Sequence, residues 1–181
     1  MAIETEKKYR LTAADRARIQ ADLKELGAKS AGEDFETNLI YGGGVLKTQK
    51  SVLRIRKTVA RTLLTYKRNV QTIAGVKQHV EYETEISDAD EMTRIVEALE
   101  YKLGLIYEKR RETWRFRNVE IVLDELPFGF YMEIEGKLTD ITEAEMLLEL
   151  EDCPIEPKTY PKLTYDLGER RGEIVEARFK S

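Results

Sequence analysis

The sequence predicts an α+β fold of about eight short strands and a few amphipathic helices, either an open sheet or a helix-covered barrel. Three observations predict it. At least six segments alternate apolar with charged or polar residues, the period of a strand whose two faces differ. Charges on those segments are segregated, with acids near residues 4, 83, 124 and 135 and bases near 54, 67 and 111. Helical segments opened by capping signals carry apolar stripes that can cover the apolar faces of the strands.

Taken in order, residues 2–10 read as a strand, with Ile3, Thr5 and Tyr9 on one face and Glu4, Glu6, Lys8 and Arg10 on the other; Lys7 blurs the first face. Thr12-Ala13-Ala14-Asp15 is a capping box, followed by Ile19, Leu23 and Leu26 at helical spacing, and Gly27 stops the helix. Residues 35–41 read as a strand ending at Gly42-Gly43-Gly44, which is a turn and not a P-loop because no Gly-Lys-Ser/Thr follows. In 51–58, Leu53 and Ile55 oppose Arg54 and Arg56; in 62–68, Leu64 and Tyr66 oppose Thr65 and Lys67. A flexible stretch around Gly75 is expected before the strand 79–86, where Val80, Tyr82 and Ile86 oppose His79, Glu81, Glu83 and Glu85.

Asp88 to Glu91 is a second capping box, opening a helix expected to carry Met92, Ile95, Val96, Leu99 and Leu103 and to end at Gly104. Across 105–117, Lys109, Arg111, Arg115 and Arg117 share a face; Trp114 and Phe116 take the other, together with Glu108, Arg110 and Glu112. Val119, Ile121 and Leu123 oppose Glu120 and Asp124, Pro127-Phe128-Gly129 turns the chain, and Phe130, Met132 and Ile134 oppose Glu133 and Glu135. Thr142 to Glu145 reads as a third capping box with Met146, Leu147 and Leu150 behind it, and a short helix is expected near 163–167. No repeat or linker divides the chain, so residues 1–181 are expected to form one domain.

Composition narrows the function. Charged residues reach 35%, yet the net charge is only −4, so charge gives no support to a nucleic-acid or membrane-surface partner. One cysteine, Cys153, excludes a disulfide framework within the chain, and one histidine, His79, excludes chemistry that needs two. No apolar run approaches a membrane span and the charged strand starts at residue 3, so a cytoplasmic product with no signal peptide is expected.

Alternating charge on one strand usually marks a wet sheet face. Here the apolar faces have helices to cover them, so a sheet closed on itself would turn its charges inward. Burying that many charges costs several kcal/mol per ion unless they are paired or bind something. Lys and Arg neutralise phosphate oxygens, whereas carboxylates are hard ligands for Mg²⁺ or Mn²⁺. Both kinds on one face point to a metal–polyphosphate ligand.

Glu4-Thr5-Glu6-Lys7-Lys8 resembles the ExExK signature of the CYTH superfamily, the triphosphate tunnel metalloenzymes. The resemblance continues in order through Leu53-Arg54-Ile55-Arg56, Leu64-Thr65-Tyr66-Lys67, the acidic strand from His79 to Glu85, the basic pair Lys109 and Arg111, Leu123-Asp124, Gly129 to Glu135, and Lys158-Thr159-Tyr160. It implies an eight-stranded antiparallel β-barrel, or tunnel, with a charged interior and helices packed outside. It also implies that Glu4, Glu6, Asp124, Glu133 and Glu135 are metal ligands or residues supporting them. Lys8, Arg54, Arg56, Lys67, Lys109, Arg111 and Lys158 would cradle the phosphates, with Glu81, Glu83 and Glu85 on the acidic substrate strand; whether its pair is Glu81/Glu83 or Glu83/Glu85 stays open. Glu4, Glu6 and Lys67 are the candidate catalytic residues. His79 stands where members often have arginine, and Arg68 where glycine often follows the strand lysine.

The implied activity is metal-dependent hydrolysis of inorganic, thiamine or nucleoside triphosphate. The alternative is a class IV adenylyl cyclase, which the segment Glu36-x-Asn38…Tyr41 also resembles; a non-catalytic polyphosphate-binding module is the third reading. Tyr41 with Lys67 is an acid–base candidate set against a plain core or rim tyrosine. A triphosphate-bearing small molecule is the expected partner, with a homodimer left open.

Overall fold

The computed structural model describes residues 3–73 and 75–180. Ala2, at the start of the expected first strand, and the side chain of Ile3 lie outside the described residues. Ten strands and five helices follow one another as β1 (Ile3–Leu11), α1 (Ala13–Glu25), β2 (Lys29–Gly42), α2 (Gly44–Thr48), β3 (Ser51–Lys57), β4 (Thr62–Ile73) and β5 (Val76–Ile86). Then come α3 (Ala89–Ala98), β6 (Lys102–Phe116), β7 (Val119–Leu126), β8 (Gly129–Glu135), α4 (Leu138–Leu147), α5 (Tyr160–Leu167), β9 (Glu169–Arg171) and β10 (Ile174–Ala177). Among the described residues no helix is long and apolar enough to cross a membrane.

The sheet runs β2-β3-β4-β5-β1-β8-β7-β6, and β2 pairs again with β6, so eight strands close into an uneven ring. Every neighbour in it is antiparallel, and the closing pair is long, from Lys29 opposite Arg115 to Gly42 opposite Lys102. Beyond the reach of β7, β10 runs parallel to residues 105–107 of β6, and β9 adds to β10. Alternation turns the apolar rows outward, and helices cover those of β1, β3, β6, β7 and β8, while Tyr82 on β5 stays exposed. Ile19 and Leu23 of α1 and Ile141 and Ala144 of α4 pack on Tyr9, Trp114, Ile121, Leu123, Met132 and Ile134. Val96 of α3 packs on Tyr41 and Ile55. Fully burying each large side chain contributes roughly 1.5–3 kcal/mol, so the ring is held from outside and its interior is free for polar groups.

Local chemistry explains the breaks from alternation. Lys7 points outward, where α4 supplies its counter-ion Glu145, which Tyr9 also contacts. Glu112, on the outer face of β6, accepts two bonds from Gln20 at 2.9 and 3.0 Å and lies 3.7 Å from Arg16. The Thr12 capping box is present, and Asp88 caps α3 through the amides of Asp90 and Glu91.

Several elements differ from the sequence expectation. Helix α3 ends at Ala98, and Leu103 and Gly104 belong to β6, because closing the ring on β2 recruits them into the sheet. Helix α4 begins at Leu138 with Lys137 at its N-cap; Thr142 sits within it and bonds the Leu138 carbonyl, so the expected third capping box is not used. The ladder of β4 and β5 runs to Ile73 opposite Val76, and φ of +80° at Gly75 is the left-handed conformation glycine favours. The short α2, β9 and β10 are additional elements.

Candidate functional site

Inward-facing rows surround a cavity of about 560 Å³ inside the ring. Ring order sorts their charges. Glu81 on β5, Glu4 and Glu6 on β1, and Glu133 and Glu135 on β8 occupy three consecutive strands. Arg54 and Arg56 on β3 and Lys109 and Arg111 on β6 flank β2 on the opposite arc, with β4 and β7 between the two arcs.

At the acidic arc, the Lys67 ammonium lies 2.9 Å from Glu81, 3.5 Å from Glu6 and 3.7 Å from Glu4. Glu6 also faces His79 Nε2 at 3.2 Å and Lys77 at 4.0 Å. Burial opposes ionisation of Glu6, but His79, Lys67 and Lys8 outweigh it and hold the carboxyl well below its usual range. Glu4 behaves oppositely: burial, then the nearby Glu81 and Glu135, push it up to about 7. Glu135 is raised as well, by burial first.

The basic arc is organised from behind. Asp124 is fully buried and accepts two bonds from Arg111, at 2.8 and 2.6 Å, and one from the Tyr160 hydroxyl at 2.7 Å. Lys109 sits 3.4 Å from both Asp124 and Glu36, and Glu36 reaches Arg56 at 3.5 Å. Despite burial, Lys109, Arg111 and Arg56 hold the Glu36 carboxyl at about 2. Burial lowers Lys109 and Lys77, whose positive charges gain from an anion nearby. Among the described residues, Arg54 Nε, Arg56 Nε and Lys77 Nζ are buried donors with no hydrogen-bond partner.

Most of the sequence-predicted residues meet here. Glu4, Glu6 and Lys8 of β1, Arg54 and Arg56 of β3, and Lys67 of β4 line the cavity, as do Glu81 and Glu83 of β5. Lys109, Arg111, Glu133 and Glu135 line it from β6 and β8. Three do not. Glu85 is exposed and outside the lining. The Lys158 ammonium turns away to bond Asp166 at 2.9 Å. Asp124, expected as a metal ligand or support, stands behind the wall with its oxygens taken up by Arg111, Lys109 and Tyr160. Tyr41 packs outside the ring with its hydroxyl 3.3 Å from Thr93, which keeps it from Lys67 and leaves the core reading.

Sequence reasoning missed Lys77, Glu36 and Tyr107 as lining residues. Lys77 is two residues before His79, and Tyr107 two before Lys109, so extending the alternation would have found both. Tyr160 sits on a helix, where strand periodicity carries no signal.

Among the described residues no three Asp, Glu, His or Cys side chains converge closely enough to hold a metal ion. The donor set nevertheless fits a hard divalent cation. Glu4, Glu6, Glu81 and Glu135 face one another across neighbouring strands, and the upward push on Glu4 records carboxylates whose repulsion a cation would relieve. To hold an ion these four would have to draw together around the place where Lys67 now provides the positive charge.

Residues 2–156 match the CYTH domain family model. The chain belongs to the CYTH family. CYTH proteins are triphosphatases or adenylyl cyclases and are generally dependent on divalent metal. A Methanocaldococcus jannaschii protein named "Putative adenylate cyclase" is 27% identical over 151 residues, covering 81% of this chain and 84% of that protein. Among solved structures, a Pyrococcus horikoshii protein superposes with a TM-score of 0.76 at 24% identity, covering 88% of this chain and 98% of the other. A Hippeastrum protein, described as a "Putative adenylyl cyclase" with a dominant triphosphatase activity, gives 0.67 at 20% identity over 95% and 98%. These structural likenesses show the fold: the CYTH tunnel, with its helices outside.

Proposed function

We propose that this CYTH chain is a divalent-metal-dependent triphosphatase acting within the ring. The observation that carries the reading is the set of buried, unpartnered donors of Arg54, Arg56 and Lys77 in the same cavity as the Glu4–Glu6–Glu81–Glu135 carboxylates. These cations are ion-paired, Arg54 with Glu81 and Glu83, Arg56 with Glu36 and Glu83, and Lys77 at 4.0 Å from Glu6, and triphosphate oxygens would take up the donors left over. The lining carries nine carboxylates against ten Lys and Arg, so it suits a polyanion that arrives with its charge largely offset by metal rather than a bare one.

Bound at Glu4, Glu6, Glu81 and Glu135, Mg²⁺ or Mn²⁺ would polarise phosphoryl oxygens and acidify water. Arg54, Arg56, Lys109 and Arg111 hold the phosphate chain against the opposite arc and stabilise the charge that spreads over the transferring group. Lys67, on β4 between the arcs, and Lys8, on β1 within the acidic arc, neutralise the terminal phosphoryl.

The curated relative's name favours a second reading, in which the ribose 3′-hydroxyl of ATP attacks the α-phosphorus and pyrophosphate leaves. The triphosphatase activity described for the Hippeastrum protein supports hydrolysis on the same fold. Product identification decides: purified protein with Mg²⁺ or Mn²⁺ is given inorganic triphosphate, thiamine triphosphate or ATP, with Glu6→Gln as control. Phosphate release supports the proposal, cyclic AMP with pyrophosphate replaces it by the cyclase, and tight binding without turnover replaces it by a binding module.

A further inference from the structure

We infer that Tyr160, and not the neighbouring Lys158, is the functional side chain of the C-terminal segment 158–160, acting as a positioning residue for the cations of the cavity wall. The inference rests on the triphosphate reading of the cavity. Residues 158–160 lie beyond the matched family model, which ends at residue 156.

The geometry converges on one ring. Tyr160 opens α5 at the cavity, one residue after the N-cap Thr159. Its hydroxyl donates to Asp124 Oδ2 at 2.7 Å, the same oxygen that accepts from Arg111 and lies 3.4 Å from Lys109. The Lys8 ammonium stands 3.6 Å above the centre of its ring, and that of Lys109 at 5.2 Å. The segment's backbone completes the grip, since Lys8 Nζ donates to the carbonyl of Lys158 at 3.1 Å. One tyrosine therefore touches a cation from β1 and, through Asp124, two cations from β6, strands that are not neighbours in the ring.

Each contact has a physical consequence. Asp124 is fully buried, so its carboxylate is aimed only by the groups that bond it. Without the tyrosine hydroxyl, an oxygen loses a donor and Arg111 and Lys109 lose the fixed anion that directs them. The Lys8 ammonium also lies 3.2 Å from Glu133, so the aromatic face adds a second, uncharged contact that fixes its position. Tyr160 itself is held by the apolar cluster of Tyr107, Tyr131 and Leu163, which gives the platform little freedom to move.

The test compares Tyr160→Phe, which keeps the ring and removes the hydroxyl, with Tyr160→Leu, which removes both, and with Lys158→Ala. Affinity for a non-hydrolysable triphosphate analogue is measured by calorimetry with Mg²⁺ present, and KM and kcat for triphosphate are measured under the same conditions. Tyr160→Phe should weaken binding by about tenfold, the scale of one hydrogen bond to a charged group, with kcat within about twofold of the unaltered chain. Tyr160→Leu should weaken it further, and Lys158→Ala by less than about twofold. A merely structural tyrosine would lower the melting temperature without this split between KM and kcat. Unchanged affinity in Tyr160→Phe, or a larger loss in Lys158→Ala, overturns the inference while the function stands. Absence of triphosphate binding by the unaltered chain overturns the functional reading and this inference with it.

Discussion

Asp124→Asn separates an anchor from a metal ligand. The carboxylate is fully buried, bonded by Arg111 at 2.8 and 2.6 Å and by Tyr160 at 2.7 Å, with Lys109 at 3.4 Å. Asparagine keeps the shape, removes the charge and turns an amide toward cationic donors. Breaking a buried pair on one side costs about 3–5 kcal/mol, because the cations left behind stay desolvated. In a chain of 181 residues that corresponds to a melting-temperature fall of about 6–20 °C. Opposing its burial, Arg111 and Lys109 hold Asp124 well below the usual carboxylate range. Its stabilising contribution is therefore complete above the unfolded value of 3.8 and is lost as pH falls through the folded one. The deficit of the variant should be full at pH 7 in EDTA and shrink only in strong acid. Calorimetric and denaturant unfolding, with EDTA and with Mn²⁺, measure it. If the metal-free variant matches the unaltered chain within about 1 kcal/mol and loses only the stabilisation by Mn²⁺, the anchor assignment is refuted.

Glu4→Gln should behave in the reverse sense. With its folded value at about 7 against the usual 4.5, Glu4 favours the fold most below pH 4.5 and loses that contribution as pH rises through 7. The variant should therefore be more stable than the metal-free unaltered chain at pH 8, by on the order of 1–2 kcal/mol, equal to it near pH 4, and without turnover; lower stability at pH 8 would contradict the repulsion. Arg54→Ala should raise KM about tenfold or more with a smaller change in kcat, and an unchanged KM would remove Arg54 from the phosphate cradle. Gly168→Ala would place a Cβ 2.6 Å from the Thr164 carbonyl and 2.7 Å from that of Glu176, both backbone atoms. It should cost about 1–3 kcal/mol in denaturant unfolding and shift α5, weakening substrate binding with it.

Much of the site was legible because strand alternation is a local property. Glu4, Glu6, Arg54, Arg56, Lys67, Glu81, Lys109 and Arg111 needed only a period of two to be placed on a common side of their strands. Capping signals fared unevenly. Thr12 forms the capping box as read and Asp88 serves as an N-cap, but the same pattern at Thr142 lies inside α4, because the buried positions of Ile141 and Ala144 against the sheet draw the helix start back to Leu138. Leu103 fits a helical stripe after Val96, yet pairing with β2 captures it for the sheet, since the closing ladder satisfies a long run of backbone groups at once. Lys158 and Asp124 are site candidates through the family resemblance, whereas what their side chains meet is set by Asp166 and by Arg111 with Tyr160, on other elements.

By itself, the sequence determined that this protein is an α+β domain whose strands carry charge on one side and apolar residues on the other, because hydrophobicity and alternation act within a few residues. Only the tertiary structure decided how those charges face one another. The ring order β5-β1-β8 gathers carboxylates that lie far apart in the chain, and β3 and β6 set arginine and lysine on the opposite arc. Whether a carboxylate becomes an anchor, like Asp124, or a repelled group near neutrality, like Glu4, depends on which charges lie within a few ångströms in a desolvated cavity. Strand pairing and closure set those distances, and no local pattern encodes them.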